Sequence, residues 1–132
     1  KINEKIKDFK LNKKVNIKGV RKDILKIYKK YDLFILSSRF EGYPNSLLEA
    51  MSSGLVSISS NCDYGPKEII SNYKNGLLFK NEDFKDLLKK IDYLLKNKNK
   101  FKLMSINAKK NFNPKEFNSA KLNKWKKTIK LN

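Results

Sequence analysis

The sequence predicts an α/β fold in which a Rossmann-like parallel sheet is flanked by helices. Residues 33–36 and 55–58 are apolar runs too short for helices and too apolar for half-exposed strands. They therefore favour buried strands of a sheet covered on both faces. Between them, Leu47, Leu48 and Met51 follow helical spacing. A strand, a helix and a second strand in this order predict parallel pairing with a right-handed crossover.

The ends of the central helix are indicated by its flanking residues. Asn45 or Ser46 can cap its start, and Gly54 can close it as a residue of positive φ. Ser46 and Glu49 also have the spacing of a capping box, in which Glu49 would accept from the amide of the cap residue. The spacing alone leaves this interpretation and a ligand-binding role for Glu49 equally open.

The segment before the first apolar run predicts three further elements. They are an amphipathic helix over residues 1–10, a strand over residues 15–18 and a helix over residues 23–31. The strand would end in a loop formed by Gly19, Val20 and Arg21.

The remaining chain predicts one more strand among several helices. In order, these are a short helix from Pro66, a strand over residues 77–79, a long helix from Asp83 and two helices over residues 101–112 and 117–129. We interpret residues 1–132 as belonging to one domain, with its sheet portion at 14–80 and a helical C-terminal portion at 83–131.

Composition excludes several kinds of site. The chain has no histidine and a single cysteine, Cys62, so an internal disulfide, a His-based nucleophile and the usual zinc sites cannot be built within it. A lone cysteine also favours a reducing compartment. The longest apolar stretches are far shorter than the ~20 residues that span a bilayer.

The net charge of +18 is compatible with an anionic surface partner. Only two of the 31 basic residues, Arg21 and Arg39, are arginines, whereas base recognition and bidentate phosphate binding favour arginine. The lysines also spread over nearly every predicted helix. We therefore interpret most of the charge as solvated, and expect no specific nucleic-acid partner.

The loop after the first predicted strand holds the candidate ligand-binding residues. In an open parallel sheet, ligands bind at the carboxyl ends of the strands. The polar loop of residues 61–65, which follows the second predicted strand, is expected at the same edge. Glu41 can accept hydrogen bonds from sugar hydroxyls, and Gly42 lets a backbone approach closely. The amides of Asn45, Ser46 and Leu47 begin a helix that attracts phosphate. Each feature also has an ordinary explanation, as a solvated loop carboxylate or a turn residue.

Together these residues carry a family resemblance. Glu41 and Glu49 are separated by seven residues, and the segment EGYPNSLLEAMSSG resembles the E-x7-E motif of retaining family 4 (group 1) GT-B glycosyltransferases. NCDYGPKEII and NGLLF resemble the loop, short helix and strand that follow in that family. The likeness extends over residues 1–129.

The resemblance implies a role for each candidate residue. Glu41 would be the catalytic residue and would bind the donor sugar together with Gly42, Tyr43 and Pro44. The amides of Asn45, Ser46 and Leu47 would bind the diphosphate, and Glu49 the ribose. Gly19, Val20 and Arg21 would border the base. The sequence has no Asp-x-Asp motif, and neither a metal nor a cofactor is expected.

The resemblance also implies the surrounding enzyme. The donor would be a UDP-hexose or UDP-N-acetylhexosamine, and the acceptor a glycan or a lipid-linked glycan in bacterial polysaccharide assembly. The first strands and the acceptor-binding N-terminal domain are expected to precede this chain, which alone would be inactive. The expected location is the cytoplasm, with peripheral association at the inner face of the membrane left open. Two other classes stay open, a non-catalytic nucleotide-binding module and a lysine-rich protein that binds anionic membrane or nucleic acid.

Overall fold

A computed structural model describes residues 1–111, and they form the predicted α/β fold. The elements are α1 (Ile2–Asp8), α2 (Ile24–Tyr28), β1 (Leu33–Leu36), α3 (Asn45–Ser52), β2 (Val56–Ser60), α4 (Pro66–Ile69), β3 (Leu77–Phe79), α5 (Phe84–Lys96) and α6 (Lys98–Asn111). The helix expected over residues 117–129 lies outside the described residues.

The three strands form one parallel sheet in the order β1-β2-β3. Ile58, at the centre of β2, is paired with Ile35 of β1 on one side and with Leu77 of β3 on the other. The predicted strand, helix and strand unit is therefore confirmed. Parallel pairing also brings the carboxyl ends of all three strands to one edge of the sheet, which is the edge expected to hold a ligand.

The two faces of the sheet carry different cores. Val56 and Ile58 pack with Leu77, Phe79, Leu94 of α5 and Met104 of α6. Side chains alternate along a strand, so Ser57 and Ser59 point to the other face together with their neighbours Phe34 and Leu36. There Phe34 and Leu36 pack against a cluster that includes Leu47, Leu48 and Met51 of α3. The small serines let α3 lie close to the sheet.

The two predicted strands of this unit differ in burial. All five residues of β2 are buried, as expected. In β1 the side chains are only half-buried, and Ile35 is 40% exposed. The prediction of burial on both faces was therefore wrong for β1, because this strand has a hydrogen-bonded neighbour on one side only within the described sheet.

No strand forms over residues 15–18, where the sequence predicts one. The Val15 amide donates instead to the Leu11 carbonyl at 2.9 Å, and Val15 and Ile17 are exposed. A strand exists only by pairing, and this segment pairs with none of the described strands. The preceding helix α1 is shorter than expected and buries none of its residues.

The long helix α5 begins as predicted at Asp83. The Asp83 carboxylate accepts from the amides of Lys85 and Asp86, which satisfies donors that a helix start leaves unpaired. Within residues 1–111, no helix has the length and apolar character needed to cross a membrane.

Candidate functional site

Three loops meet at the carboxyl edge of the sheet. We call them the β1–α3 loop (residues 37–44), the β2–α4 loop (residues 61–65) and the β3–α5 loop (residues 80–83). The first of them holds Glu41 and leads into α3, where Glu49 lies. The contacts between the loops fix where these residues stand.

The β1–α3 loop is attached to the end of β2 through the carbonyl of Ser38. This oxygen accepts from the Ser60 hydroxyl at 2.6 Å and from the Cys62 thiol at 3.0 Å. Ser60 and Cys62 are both buried. The single cysteine of the chain is therefore a free thiol that supports the loop.

A second contact joins the β1–α3 and β2–α4 loops at Gly65. This residue has a φ of +82°, and a Cβ there would lie 2.6 Å from the Gly42 carbonyl oxygen and 2.9 Å from Pro44 Cδ. Real Cβ atoms essentially never come so close, so only glycine fits. The sequence placed the loop of residues 61–65 beside Glu41, and this contact shows that the two loops touch.

The residues expected to bind the donor sugar differ in exposure. Pro44 is buried, Glu41 is half-buried, and Gly42 and Tyr43 are exposed. Partial burial, and secondly the charge of Glu68 on α4, raise the pKa of the Tyr43 hydroxyl above its ordinary value. Tyr43 therefore lies near α4 and stays protonated at neutral pH.

Gly42 is not required by the fold. A Cβ at this position would meet no described atom within 4 Å, and its φ lies outside the left-handed region. The open space beside Gly42 is consistent with close approach of a ligand to this backbone.

Helix α3 begins at Asn45, so its cap residue is Pro44, which precedes both predicted caps. Pro44 makes no side-chain hydrogen bond to the first turn. Ser46 therefore lies inside the helix, so the prediction of a cap at Asn45 or Ser46 was wrong, and the capping-box interpretation of Glu49 fails with it. Gly54 does close the helix, with a φ of +89° and its amide donating to the Met51 carbonyl at 3.0 Å.

The amides at the start of α3 are not equivalent. The Leu47 amide donates to the Pro44 carbonyl at 3.1 Å within the first turn. Leu47 is thus a weaker candidate for binding phosphate than the sequence predicts. An anion at this end would interact with the positive end of the helix dipole.

Glu49 shares its surroundings with Tyr28 of α2. The Tyr28 hydroxyl donates to the Ser46 carbonyl at 3.4 Å. Burial, and secondly the negative charge of Glu49, raise the pKa of this hydroxyl above its ordinary value. Tyr28 is buried while Glu49 is only half-buried. The structure therefore places a neutral phenol close to a carboxylate that solvent can reach.

The segment expected to border a base is held by local contacts. Arg21 donates from Nε to Asp23 Oδ1 at 2.9 Å and from Nη2 to Asp23 Oδ2 at 3.0 Å. This pair raises the pKa of Arg21 and lowers that of Asp23, chiefly through the side-chain hydrogen bonds. Gly19 has a φ of +63°, and Val20 is fully exposed. None of these contacts joins the segment to Glu41 or Glu49.

Within the described part of the chain, no group of three or more acidic or cysteine side chains is arranged to hold a metal ion.

Sequence reasoning did not identify Tyr28, Gly65, Asn81 or Glu82 as parts of this site. Asn81 and Glu82 contact Arg39 in the β1–α3 loop. Their signal was available, because polar residues directly after a parallel strand lie at the same edge as Glu41. Tyr28 offered no such signal, since its contact with Ser46 depends on how α2 packs against α3.

The chain is similar to known glycosyltransferases in sequence and in fold. The chain is 42% identical over 81 residues to a Campylobacter jejuni N,N'-diacetylbacillosaminyl-diphospho-undecaprenol alpha-1,3-N-acetylgalactosaminyltransferase, covering 61% of this chain and 21% of that protein. It is similar to a mutant of Staphylococcus aureus TarM crystallised with fondaparinux, alpha-GlcNAc-glycerol and UDP (28% identity, TM-score 0.80, 92% of this chain and 26% of that one).

The fold also matches the C-terminal domain of a Francisella tularensis glycosyl transferase group 1 family protein, LpcC. That match has a TM-score of 0.71 at 24% identity and covers 83% of this chain and 57% of that one. The chain spans about a fifth of the length of the Campylobacter relative. The model of the family described as glycosyl transferases group 1 matches residues 1–111, and the chain belongs to that family.

Proposed function

We propose that this chain supplies the donor-binding part of a retaining glycosyltransferase that transfers a hexose or N-acetylhexosamine from a UDP-sugar. The observation that carries the proposal is the contact of Gly65 with Gly42 and Pro44. It fixes the loop of Glu41 against its neighbour, directly before the helix that holds Glu49. Two carboxylates and a helix start thus lie along one short segment, near the edge where open parallel sheets bind ligands.

The diphosphate would lie at the start of α3. Negative charge builds on the leaving diphosphate as the glycosidic bond breaks. Backbone amides around Asn45 and Ser46, with the positive end of the helix dipole, would stabilise that charge. The expected third donor, Leu47, would contribute less because its amide already donates to Pro44.

The two glutamates would have separate tasks. Glu49 would accept from the ribose hydroxyls, and its half-buried position beside Tyr28 supports this role. Glu41 would orient the donor sugar near the reacting face, with Gly42, Tyr43 and Pro44 around it. Gly19, Val20 and Arg21 are proposed to border the base, although their contacts are with their own segment.

The relatives support the donor class. One is named as an N-acetylgalactosaminyltransferase, and another was crystallised with UDP. We propose a glycan or lipid-linked glycan as the acceptor, bound by a domain outside this chain, and a cytoplasmic location that includes the inner face of the membrane. The reaction is proposed to need no metal, and the chain alone is expected to transfer no sugar.

The test is binding of UDP by this chain, followed by saturation-transfer NMR, with GDP as competitor. The expected result is a UDP signal that GDP displaces poorly and that Glu49→Gln abolishes. Glu4→Gln is a matched control, because it removes the same charge from an exposed glutamate of α1. If Glu49→Gln binds UDP as the unmodified chain does, the ribose assignment is wrong. If the folded chain binds no UDP, the chain does not form a donor site by itself.

A further inference from the structure

The β1–α3 loop has a third attachment, on the side of β3. The Arg39 carbonyl accepts from Asn81 Nδ2 at 2.9 Å. The Arg39 side chain also pairs with Glu82, with 2.7 Å between Nε and Oε1. We call this set of Arg39, Asn81 and Glu82 the Arg39 clasp. It joins the loops that follow β1 and β3, the two strands that flank β2.

The β3–α5 loop provides a firm base for the clasp. The Lys80 amide donates to Asp86 Oδ2 at 2.8 Å, and the Asp83 amide donates to the Lys80 carbonyl at 3.0 Å. The first contact connects the loop to the first turn of α5, and the second closes the loop on itself. Helix α5 packs on the sheet through Leu87, Ile91 and Leu94. Glu82 has a φ of +60°, a conformation that non-glycine residues adopt only where the surrounding structure enforces it.

The order of the attachments along the loop places Glu41 between two of them. Ser38 is hydrogen-bonded to the end of β2, Arg39 is held by the clasp, and the Gly42 carbonyl packs closely against Gly65. Glu41 lies two residues after the clasp and one residue before the contact with Gly65. The clasp on one side and the close packing on the other both restrict the backbone around Glu41.

We propose that Asn81 and Glu82 are positioning residues that hold the Glu41 loop for donor-sugar binding. The proposal rests on the function proposed above. Of the two, Asn81 has the larger effect, because its hydrogen bond holds the backbone itself. The ion pair joins two largely exposed side chains, and such pairs contribute little.

The first readout is the mobility of the loop, measured by 15N relaxation on the full chain without ligand. Asn81→Ala removes the amide that donates to Arg39. Asn107→Ala is a matched control, because Asn107 Nδ2 also donates to a backbone carbonyl at 2.9 Å, that of Lys74. We expect the order parameters of residues 40–43 to fall from about 0.85 to below about 0.6 in Asn81→Ala. They should stay unchanged in Asn107→Ala and fall less in Glu82→Gln.

The second readout is the affinity ratio between UDP-N-acetylglucosamine and UDP. If the clasp positions the sugar-binding loop, Asn81→Ala binds UDP as tightly as the unmodified chain does. Its affinity for UDP-N-acetylglucosamine falls about two- to tenfold, which is the range that the loss of one hydrogen bond gives. A general loss of structure would lower both affinities together.

The outcomes separate this proposal from the proposed function. Unchanged order parameters in Asn81→Ala, or an equal fall in Asn107→Ala, would overturn the clasp. An unchanged affinity ratio with a loosened loop would show that the clasp holds the loop without positioning the sugar, and would also overturn the proposal. If the unmodified chain binds neither nucleotide, the donor site fails, and the order parameters still decide whether the clasp holds the loop.

Discussion

Gly65 touches the Gly42 carbonyl so closely that a side chain at residue 65 would lie 2.6 Å from that oxygen. The contact connects the loop after β2 to the loop that holds Glu41. Because both loops leave the same edge of the sheet, a change at Gly65 is transmitted directly to the proposed sugar site.

Gly65→Ala is therefore expected to destabilise the fold and to displace the loop. The positive φ alone costs on the order of 1–3 kcal/mol for a residue with a Cβ, and the contact with Gly42 adds to it. Urea unfolding of the variant and the unmodified chain measures the difference. A loss below about 0.5 kcal/mol, the usual effect of a neutral surface change, would contradict the close contact.

Gly42→Ala makes the opposite prediction, because a Cβ at this position meets no described atom within 4 Å. The free energy of unfolding should change by less than about 0.5 kcal/mol. Binding of a UDP-sugar should weaken, since the methyl group would occupy the space proposed for the ligand. Calorimetric titration checks the affinity, and unchanged binding would remove Gly42 from the proposed site.

Tyr28→Phe should change stability chiefly at alkaline pH. The folded state raises the pKa of Tyr28 above its ordinary value of 10.0, through burial and the charge of Glu49. The folded chain therefore holds the proton of the Tyr28 hydroxyl more tightly than the unfolded chain does. The resulting stabilisation is present below pH 10.0 and is lost as the pH rises above that value. Phenylalanine keeps the edge-on ring contact with Phe34 and has no proton to lose.

The measurement is urea unfolding at about pH 8 and about pH 10.5, on either side of the ordinary tyrosine pKa. The unmodified chain should lose more stability between these values than Tyr28→Phe does. Tyr31→Phe, at an exposed tyrosine, serves as control. Equal losses in the unmodified chain and Tyr28→Phe would show that Tyr28 does not titrate as its surroundings indicate.

Asp83 should stabilise α5 less in acid. Hydrogen bonds from the amides of Asp86 and Lys85 lower its pKa below the ordinary 3.8, with the Asp86 bond the larger cause. Its contribution is therefore present above that value and lost as the pH falls through the lowered pKa. Asp83→Asn keeps an oxygen that can cap the helix but removes the charge, so its stability should depend less on pH in this range.

Thermal unfolding at about pH 5 and about pH 2.5 measures this dependence. The Asp83 carboxylate is charged at the higher pH and gains a proton as the pH falls toward the lower one. Asp92→Asn, at an exposed position of the same helix, is the control. If Asp83→Asn and Asp92→Asn respond to acid alike, the cap has no special role. Asp83→Ala should be less stable than Asp83→Asn at both pH values, because it removes the capping oxygen as well.

The elements that depend on local pattern could be predicted from the sequence. The apolar run of β2 and the cap at Asp83 were both identified, because composition and spacing alone determine them. The closing glycine, Gly54, belongs with them, since a positive φ after a helix favours glycine strongly.

The failures concern features that depend on neighbours. Residues 15–18 have the composition of a strand, but pairing decides whether a strand exists, and no described strand lies beside them. The start of α3 shows a similar effect. Ser46 and Glu49 match a capping box, yet the first helical turn already bonds back to Pro44, which leaves Ser46 inside the helix.

The position of the Glu41 loop could be predicted from the sequence, but the residues that support it could not. Parallel pairing predicts that this loop and residues 61–65 leave the same edge of the sheet, and the contact of Gly65 with Gly42 confirms that the two loops are neighbours. The residues that hold the loop could not be found in this way. Ser60, Cys62 and Asn81 donate to backbone carbonyls of the loop. Because every residue has a backbone carbonyl, the sequence does not show which of them accept such hydrogen bonds.

A 15N chemical-shift titration of the full chain with UDP would show whether UDP binds at the start of α3 beside Glu49, as we propose. We expect the shifts to be concentrated at Ser46 and Glu49, with Asn107 unaffected, whereas inorganic pyrophosphate should shift Ser46 and leave Glu49 unchanged. Shifts spread over the lysines of α5 and α6, equal for UDP and pyrophosphate and lost in salt, would contradict it. That result would instead indicate a general affinity for anions.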